Sequence, residues 1–294
     1  MTTGASTVGV IGLGQMGKGI AANLAQNGLL NAVFDLDAGT GRHQGLGPFW
    51  QENVAPVLAR CEICLFAVPS TAEVRETTMR ATAVPGQLIV DLTTSHPNEA
   101  RALARELEAR GQRYVDAAMT GGAAGADAGT LTLMVGGEDA DVSRLNATFN
   151  AIAARFFHLG PVGAGQAMKL VHNMILHANF LATCEGLGLA RRLGIDLNQA
   201  ADVLNAGNAR SFVTEVRFPR DILSGTMNGR STVANLAKDL GLASNLAATS
   251  EVPAPYADMT AALLKRAAEI GPSDRDFTQI FSDYASIAAD WEAT

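Results

Sequence analysis

A short apolar run, Val8-Gly9-Val10-Ile11, passes directly into Gly12-Leu13-Gly14-Gln15-Met16-Gly17, and a helix-like stretch, Lys18 to Asn27, follows at once. This order of strand, Gly-x-Gly-x-x-Gly turn and helix constrains the fold more than anything else in the chain. The first glycine serves a bend with unusual backbone angles, the second lets main chain approach a pyrophosphate, and the third permits close helix–strand packing. The unpaired N–H groups of the helix start then hold the phosphate. A second apolar run, Ala32-Val33-Phe34, ends in Asp35, 21 positions after Gly14. A carboxylate at that spacing accepts hydrogen bonds from an adenosine ribose diol.

Asp35 also bears on which nicotinamide cofactor fits. A carboxylate repels a 2′-phosphate, and sites for the phosphorylated cofactor place an arginine nearby. Here Asp35 is followed by Leu36 and Asp37, and the nearest cation is Arg42. NAD is therefore expected ahead of NADP.

The next apolar runs fall at Ile63–Val68, Leu88–Asp91, Arg113–Ala117, Leu131–Val135 and Phe156–Leu159, with helical periodicity between most of them, as over Asn98–Arg110. Such alternation predicts a doubly wound, largely parallel sheet of Rossmann type. Ligands on such sheets sit beyond the carboxyl ends of strands, which directs attention to Val68-Pro69-Ser70, Thr93-Thr94-Ser95 and Thr120-Gly121-Gly122. The character changes at Gly160-Pro161-Val162-Gly163-Ala164-Gly165, beyond which helix follows helix. Residues 1–162 are thus expected to form a dinucleotide-binding domain and 163–294 an all-helical domain. A long helix over about 165–193 joins them, a rod of about 40 Å at 1.5 Å per residue. Asp196 is placed to cap the helix after it.

With 48% hydrophobic and 17% charged residues and a formal charge of −7, the sequence describes an ordinary globular protein and argues against general nucleic-acid or anionic-membrane binding. No apolar run reaches the ~18–20 residues of a membrane span, and no basic-then-apolar leader opens the chain, so a cytoplasmic protein is expected. Cys61 and Cys64 have the spacing of a redox pair, yet alternate strand positions would turn their sulfurs apart; with Cys184 they read as small core residues.

The long helix carries Lys169-Leu170-Val171-His172-Asn173. His172, Asn173, Leu176 and His177 share a face with Lys169. A cation within so apolar a segment is expensive unless used. Burial beside an NAD⁺ ring would disfavour its ammonium form, and the neutral amine could take a proton from a substrate hydroxyl. The alternative is a lysine snorkelling to the surface. His172 and His177 lack a nearby carboxylate that would complete a metal site, and His43, His96 and His158 show no partner spacing. Thr120 with the amides of Gly121 and Gly122 makes a concave donor set suited to a carboxylate, or simply a flexible turn.

Taken together and in this order, the glycine turn, Asp91-Leu92-Thr93-Thr94, Asp116-Ala117-Ala118-Met119-Thr120-Gly121-Gly122, Gly163-Ala164-Gly165 leading to Lys169 and Asn173, and Lys238-Asp239-Leu240 resemble the β-hydroxyacid dehydrogenase family over essentially the whole chain. The resemblance implies reversible, metal-free hydride transfer between the alcohol of a short 3-hydroxy acid and NAD(P). It implies Lys169 as acid/base and Asn173 as the residue orienting substrate and lysine. Thr120, Gly121 and Gly122 would hold the substrate carboxylate, with Asp239 close by. Gly12, Leu13, Gly14, Gln15, Met16, Gly17, Asp35, Val68, Pro69, Thr93 and Lys238 would line the cofactor. It further implies homodimers or homotetramers built through the helical domain.

This chain departs from the family at Ala118, Met119 and Thr120, where Pro, Val and Ser are common, at His172, where Asn is common, and at Ser231, where many members carry an aromatic residue. Other readings are an imine reductase on the same scaffold, against which Lys169 counts, and a non-catalytic dinucleotide-binding module. A 6-phosphogluconate-type enzyme would instead draw a phosphate site from Arg210, Arg217, Arg220 and Arg230.

Overall fold

The computed structural model describes residues 7–39 and 45–289, and the chain divides into two compact units at Lys169/Leu170. In the first unit, among the described residues, seven strands form one sheet: β1 (Val8–Ile11), β2 (Leu30–Phe34), β3 (Ile63–Phe66), β4 (Leu88–Asp91), β5 (Arg113–Thr120), β6 (Leu131–Gly136) and β7 (Ala153–His158). Helices α1 (Gly17–Gln26), α2 (Ala55–Arg60), α3 (Thr71–Arg80), α4 (Pro97–Glu108), α5 (Gly122–Ala128), α6 (Asp139–Arg144) and α7 (Asn146–Ile152) connect them.

The sheet order is β2-β1-β3-β4-β5-β6-β7, and every neighbouring pair is parallel except β5 and β6. β1 lies between β2 and β3, so the chain turns one way after β1 and the other way after β2. That reversal opens a crevice at the carboxyl end of β1, where the glycine turn stands. The strands read as continuous apolar runs because both faces are covered. Val8, Val10, Ile63, Leu65, Leu88 and Val90 pack toward one side with Ile20 and Leu24 of α1. Ile11, Cys64, Phe66, Ile89 and Tyr114 pack toward the other with Leu103 and Leu107 of α4.

The doubly wound sheet and helical second unit match the sequence expectation, with adjusted ends. β5 runs on through Thr120, and β7 begins at Ala153 rather than Phe156. The long helix, α8, spans Ala164–Arg192 and continues from the first unit into the second. After it come α9 (Leu197–Ala206), a π-helical segment (Val213–Leu223), α10 (Val233–Thr249), α11 (Pro255–Ile270) and α12 (Ile280–Ile287). Asp196 caps α9, its Oδ1 accepting the N–H groups of Asn198 and Gln199, both at 3.0 Å. An aromatic core of Phe180, Phe218, Phe277 and Phe281 holds this unit, with edge-on contacts between Phe180 and Phe277 and between Phe218 and Phe281. Among the described residues no helix is long and apolar enough to cross a membrane.

Candidate active site

The three glycines of the turn after β1 separate cleanly by what surrounds them. Gly12 has φ +90°, a left-handed value, and a side chain there would lie 2.5 Å from the Ala67 carbonyl. A Cβ on Gly17 would fall 1.8 Å from the Gly12 carbonyl oxygen, so only hydrogen fits between α1 and the turn. A Cβ on Gly14 would meet no protein atom within 4 Å. The middle glycine is thus the one whose missing side chain leaves space outside the protein's own packing, as a cradle for a bound group requires. Met16, at the N-cap of α1, offers no side-chain cap, and the first turn holds no acid; the Lys18 N–H reaches the Gly14 carbonyl at 3.4 Å, and a helix start with neither cap nor acid suits an external anion. α3 contrasts with it: Ser70 Oγ accepts the Ala72 N–H at 3.2 Å, and the Ser70 hydroxyl donates to the Glu73 carboxylate.

Asp35 is fixed from two sides. Its Oδ2 accepts the Leu13 N–H at 2.6 Å and its Oδ1 the Asp37 N–H at 2.8 Å. A carboxylate has roughly four acceptor directions, so two stay available for a diol. Val68 lies beside the turn, its side chain 3.0 Å from where a Gly12 Cβ would sit. Arg42 and His43 lie outside the described residues.

Beyond β4 and β5 is a buried polar cluster that sequence reasoning did not assemble. Asp91 and Asp116 are register partners, both fully buried. Asp91 Oδ1 accepts the Thr93 N–H at 2.8 Å, and its Oδ2 accepts the hydroxyls of Thr71 at 2.6 Å and Tyr114 at 2.8 Å. The Tyr114 hydroxyl is pushed far up by desolvation, with Asp91 and Asp116 adding to the shift. Thr93, expected at the cofactor, is buried here. Its carbonyl accepts the Gln166 side-chain amide at 3.0 Å, while Gln166 Oε1 accepts the Ser95 N–H at 2.9 Å. Asp116 accepts the backbone N–H groups of Gly163 at 2.7 Å and Gln166 at 2.8 Å. Two apolar strands each ending or continuing through an aspartate, Leu88-Ile89-Val90-Asp91 and Tyr114-Val115-Asp116-Ala117, were the available signal, since acids are rarely fully buried without partners.

Thr120 is the last residue of β5, not part of the turn after it, and is paired with Thr132 on β6. Gly121 and Gly122 follow with φ +119° and +62°, a sequence of backbone states open to glycine. Met119 packs half-buried against the core.

Lys169 and Asn173 stand one turn apart on the single helix α8. Asn173 is buried; its Nδ2 donates to Asp239 Oδ2 at 2.8 Å and its Oδ1 faces His172 Nδ1 at 3.0 Å. Because a carboxylate only accepts, the amide orientation is fixed, and His172 must carry its proton on Nδ1. Lys238 Nζ lies 3.4 Å from Asp239 Oδ1, with the lysine side chain 41% exposed. His172 therefore acts on Asn173, a role that its separation from other ligand types could not reveal.

The arginines do not gather into a phosphate site. Arg217 and Arg220 both bind Asp221, at 3.0 and 2.7 Å, and Arg210 reaches Glu215 at 3.9 Å. Although burial alone would raise Asp221, hydrogen bonds from Arg220 and Arg217 hold its carboxyl below the usual value. Arg217 also lies over the Phe277 ring at 4.9 Å. Arg230 donates its backbone N–H to Asp276.

The cysteines are buried free thiols, but strand alternation does not separate Cys61 from Cys64. Cys61 precedes β3 rather than lying in it, and both side chains join the same apolar cluster. Burial pushes Cys61 up to about 11 and Cys64 well above its ordinary value, which keeps both thiols protonated and unreactive. His177 is buried in α8; His96 caps α4 through Nδ1, and His158 sits between Gly137 and Asp139. Among the described residues no three His, Cys, Asp or Glu side chains converge as a metal site would need.

Residues 7–160 match the family described as the NAD binding domain of 6-phosphogluconate dehydrogenase, and residues 163–284 the family described as NAD-binding of NADP-dependent 3-hydroxyisobutyrate dehydrogenase. The chain is 31% identical over 280 residues to a 2-(hydroxymethyl)glutarate dehydrogenase of Eubacterium barkeri, with 93% of each chain covered. It is 29% identical to the NAD-dependent L-serine dehydrogenase of Pseudomonas aeruginosa, covering 93% of this chain and 96% of that one. Among solved structures, the Mycobacterium tuberculosis 3-hydroxyisobutyrate dehydrogenase with L-serine superposes with a TM-score of 0.85 at 26% identity, covering 96% of this chain and 99% of that one. A glycine turn with an open central position, a lysine and a fixed asparagine one helical turn apart, and these matches over both halves place the chain in the β-hydroxyacid dehydrogenase family.

Proposed function

We propose that this protein oxidises the alcohol of a short 3-hydroxy acid, and reduces the corresponding 3-oxo acid, with Lys169 as acid/base and NAD preferred over NADP. The observation that carries the reading is the pairing on α8: Lys169 stands one turn before an asparagine whose amide is held in one orientation by Asp239 and His172. A fixed amide there can orient a substrate hydroxyl toward the lysine amine.

The residues fit a dinucleotide. The uncapped start of α1 and the open face of Gly14 suit its pyrophosphate, and Asp35 suits an unphosphorylated ribose. A nicotinamide bound there would supply the hydride acceptor for oxidation and the hydride donor for reduction. In oxidation, neutral Lys169 takes the hydroxyl proton as that carbon becomes a carbonyl; in reduction its ammonium returns the proton to the forming alkoxide. Thr120 and the amides of Gly121 and Gly122 hold the substrate carboxylate, with Asp239 bordering the substrate and Val68, Pro69, Thr93 and Lys238 assigned to the cofactor. The proton carrier is a side chain, so no metal enters this mechanism.

Met168, Val171, Ile175 and Leu189 leave apolar side chains on α8 exposed by 38 to 61%. A second copy of the chain covers this stripe, making the working enzyme a homodimer or homotetramer. The same reading places it in the cytoplasm.

The direct test follows NADH formation at 340 nm (a standard absorbance assay) with 3-hydroxyisobutyrate, serine, glycerate, threonate and a sulfonate analogue, with NADP⁺ in parallel. Turnover of one of these acids is expected. Lys169→Ala should lower kcat about a thousandfold with the KM for NAD nearly unchanged. A variant retaining half its activity would refute the acid/base assignment.

A further inference from the structure

The helix that carries Lys169 does not begin as an ordinary surface helix. Its first turn is seated on the carboxyl end of the sheet by a carboxylate from another element, 47 and 50 positions away along the chain. Asp116 Oδ2 takes the Gln166 N–H in the first turn of α8, and its Oδ1 takes the N–H of Gly163, the residue just before the helix, an arrangement that a negative charge at a helix start favours. The packing leaves room for little else. A Cβ on Gly136 would fall 2.7 Å from Asp116 Oδ1, and one on Gly165 would lie 2.3 Å from the Met134 carbonyl and 2.8 Å from Asp116 Oδ2. Gln166 adds a second attachment, bridging Ser95 and Thr93 beyond β4. Lys169 follows three positions later, and Thr120 lies four positions beyond Asp116 on the same strand.

We propose that Asp116 is a positioning residue of the reaction: by clamping the Gly163 and Gln166 amides it holds the first turn of α8, and with it the Lys169 amine, in fixed register with the carboxylate-holding end of β5. This rests on Lys169 being the acid/base. The clamp needs both oxygens as acceptors, so it works as the carboxylate and loosens on protonation. Burial raises the Asp116 carboxyl to about 6, partly offset by the two amide hydrogen bonds, while Asp91 on β4 pushes it further up. Other ionisable groups surround it. Tyr114 is on its own strand, Lys169 is one turn beyond Gln166 on α8, and on α4 the Arg101 guanidinium lies 3.1 Å from where a Gly163 Cβ would sit; the paired position on β6 is Gly136.

The experiment compares wild-type enzyme, Asp116→Asn and Lys169→Ala in the reductive direction, with tartronate semialdehyde and 2-methyl-3-oxopropanoate, between pH 5 and 9. In this direction the lysine must be protonated, so its titration removes activity at high pH and cannot produce an acid limb. Wild-type kcat should fall as pH drops through about 6. The asparagine variant, which turns an NH₂ group toward one helix N–H, should lose about 10- to 100-fold in kcat, lack that limb, and keep its KM for NADH. Wild-type kcat flat to pH 5, or a variant with unchanged kcat, would overturn the clamp even if Lys169→Ala is inactive. An active Lys169→Ala would instead remove the acid/base reading beneath it. If the asparagine variant does not fold, hydrogen exchange at the Gly163 and Gln166 amides of the wild type decides. Their protection factors, corrected for intrinsic rates, should drop as pH falls through about 6, and constant protection would refute the proposal.

Discussion

Two helices begin on the same edge of the same sheet and are treated in opposite ways. α1 starts at Gly17 without a side-chain cap from Met16, with no acid in its first turn and with no protein atom within 4 Å of where a Gly14 Cβ would sit. α8 starts against Asp116, whose two oxygens take the Gly163 N–H just before the helix and the Gln166 N–H in its first turn. A helix N-terminus is a partial positive charge with unsatisfied donors, and something must satisfy them. Where the protein supplies no acceptor, an external anion can serve; where it buries one of its own, the same element becomes an anchor. On the proposed function, the first end binds the dinucleotide and the second holds the Lys169 amine still.

Exchanging small groups at the two ends should break this contrast most visibly at Gly17. Gly17→Ala drives a methyl group into the Gly12 carbonyl and should cost about 3 kcal/mol or more, read as a collapse of Tm or of soluble yield. Gly14→Ala, three positions earlier, should leave stability within about 0.5 kcal/mol, because its methyl group meets no protein atom. It should still weaken NAD binding about tenfold by calorimetry, since main chain can no longer approach the pyrophosphate. Equal stability losses at both positions would show that the turn's middle is not the open face described here.

The anchored end can be sharpened by pH. Asp116 is raised from an ordinary value of 3.8 to about 6, so its protonated form is the one favoured by folding. Its contribution to stability is fully present below about 4 and is lost as pH rises through about 6. Activity, by the clamp, runs the other way and needs the ionised form. Between pH 4 and 6 the enzyme should therefore lose turnover without a matching fall in Tm. Over the same window the stability of Asp116→Asn relative to wild type should rise with pH. Parallel loss of both properties would argue that acid simply unfolds the site.

The smallest expected effect belongs to Asp35→Ala. Removing the carboxylate frees the Leu13 and Asp37 amides and the repulsion of a 2′-phosphate together. The ratio of kcat/KM for NAD over NADP should drop by about tenfold, chiefly through weaker NAD binding. An unchanged ratio would remove the ribose assignment while leaving the glycine turn intact.

Much of this was legible along the chain because it is local. Strand–helix alternation, the three glycine roles and the Asp196 cap depend on neighbours within a few residues. So did the pairing of Lys169 with Asn173, one turn apart on a helix without proline. The end of β5 was misjudged because Met119 and Thr120 complete a ladder with Leu133 and Thr132, which no local pattern announces. The arginines looked like one cationic set from spacing alone, and Asp221 and Glu215 divide them.

What the sequence determined by itself is the class of fold and the chemistry on offer: a turn that can seat a dinucleotide, a lysine and an asparagine on one helix face, and a hydroxyl followed by two glycines. Only the tertiary structure decided how those groups are held. Asp116 reaches amides 47 and 50 positions away, Gln166 bridges residues 71 and 73 positions back, and Asp239 fixes Asn173 across 66. The physical reason is that periodicity and turn chemistry record what each residue prefers near its neighbours, whereas buried polar groups must be satisfied by whatever the packed fold brings to them.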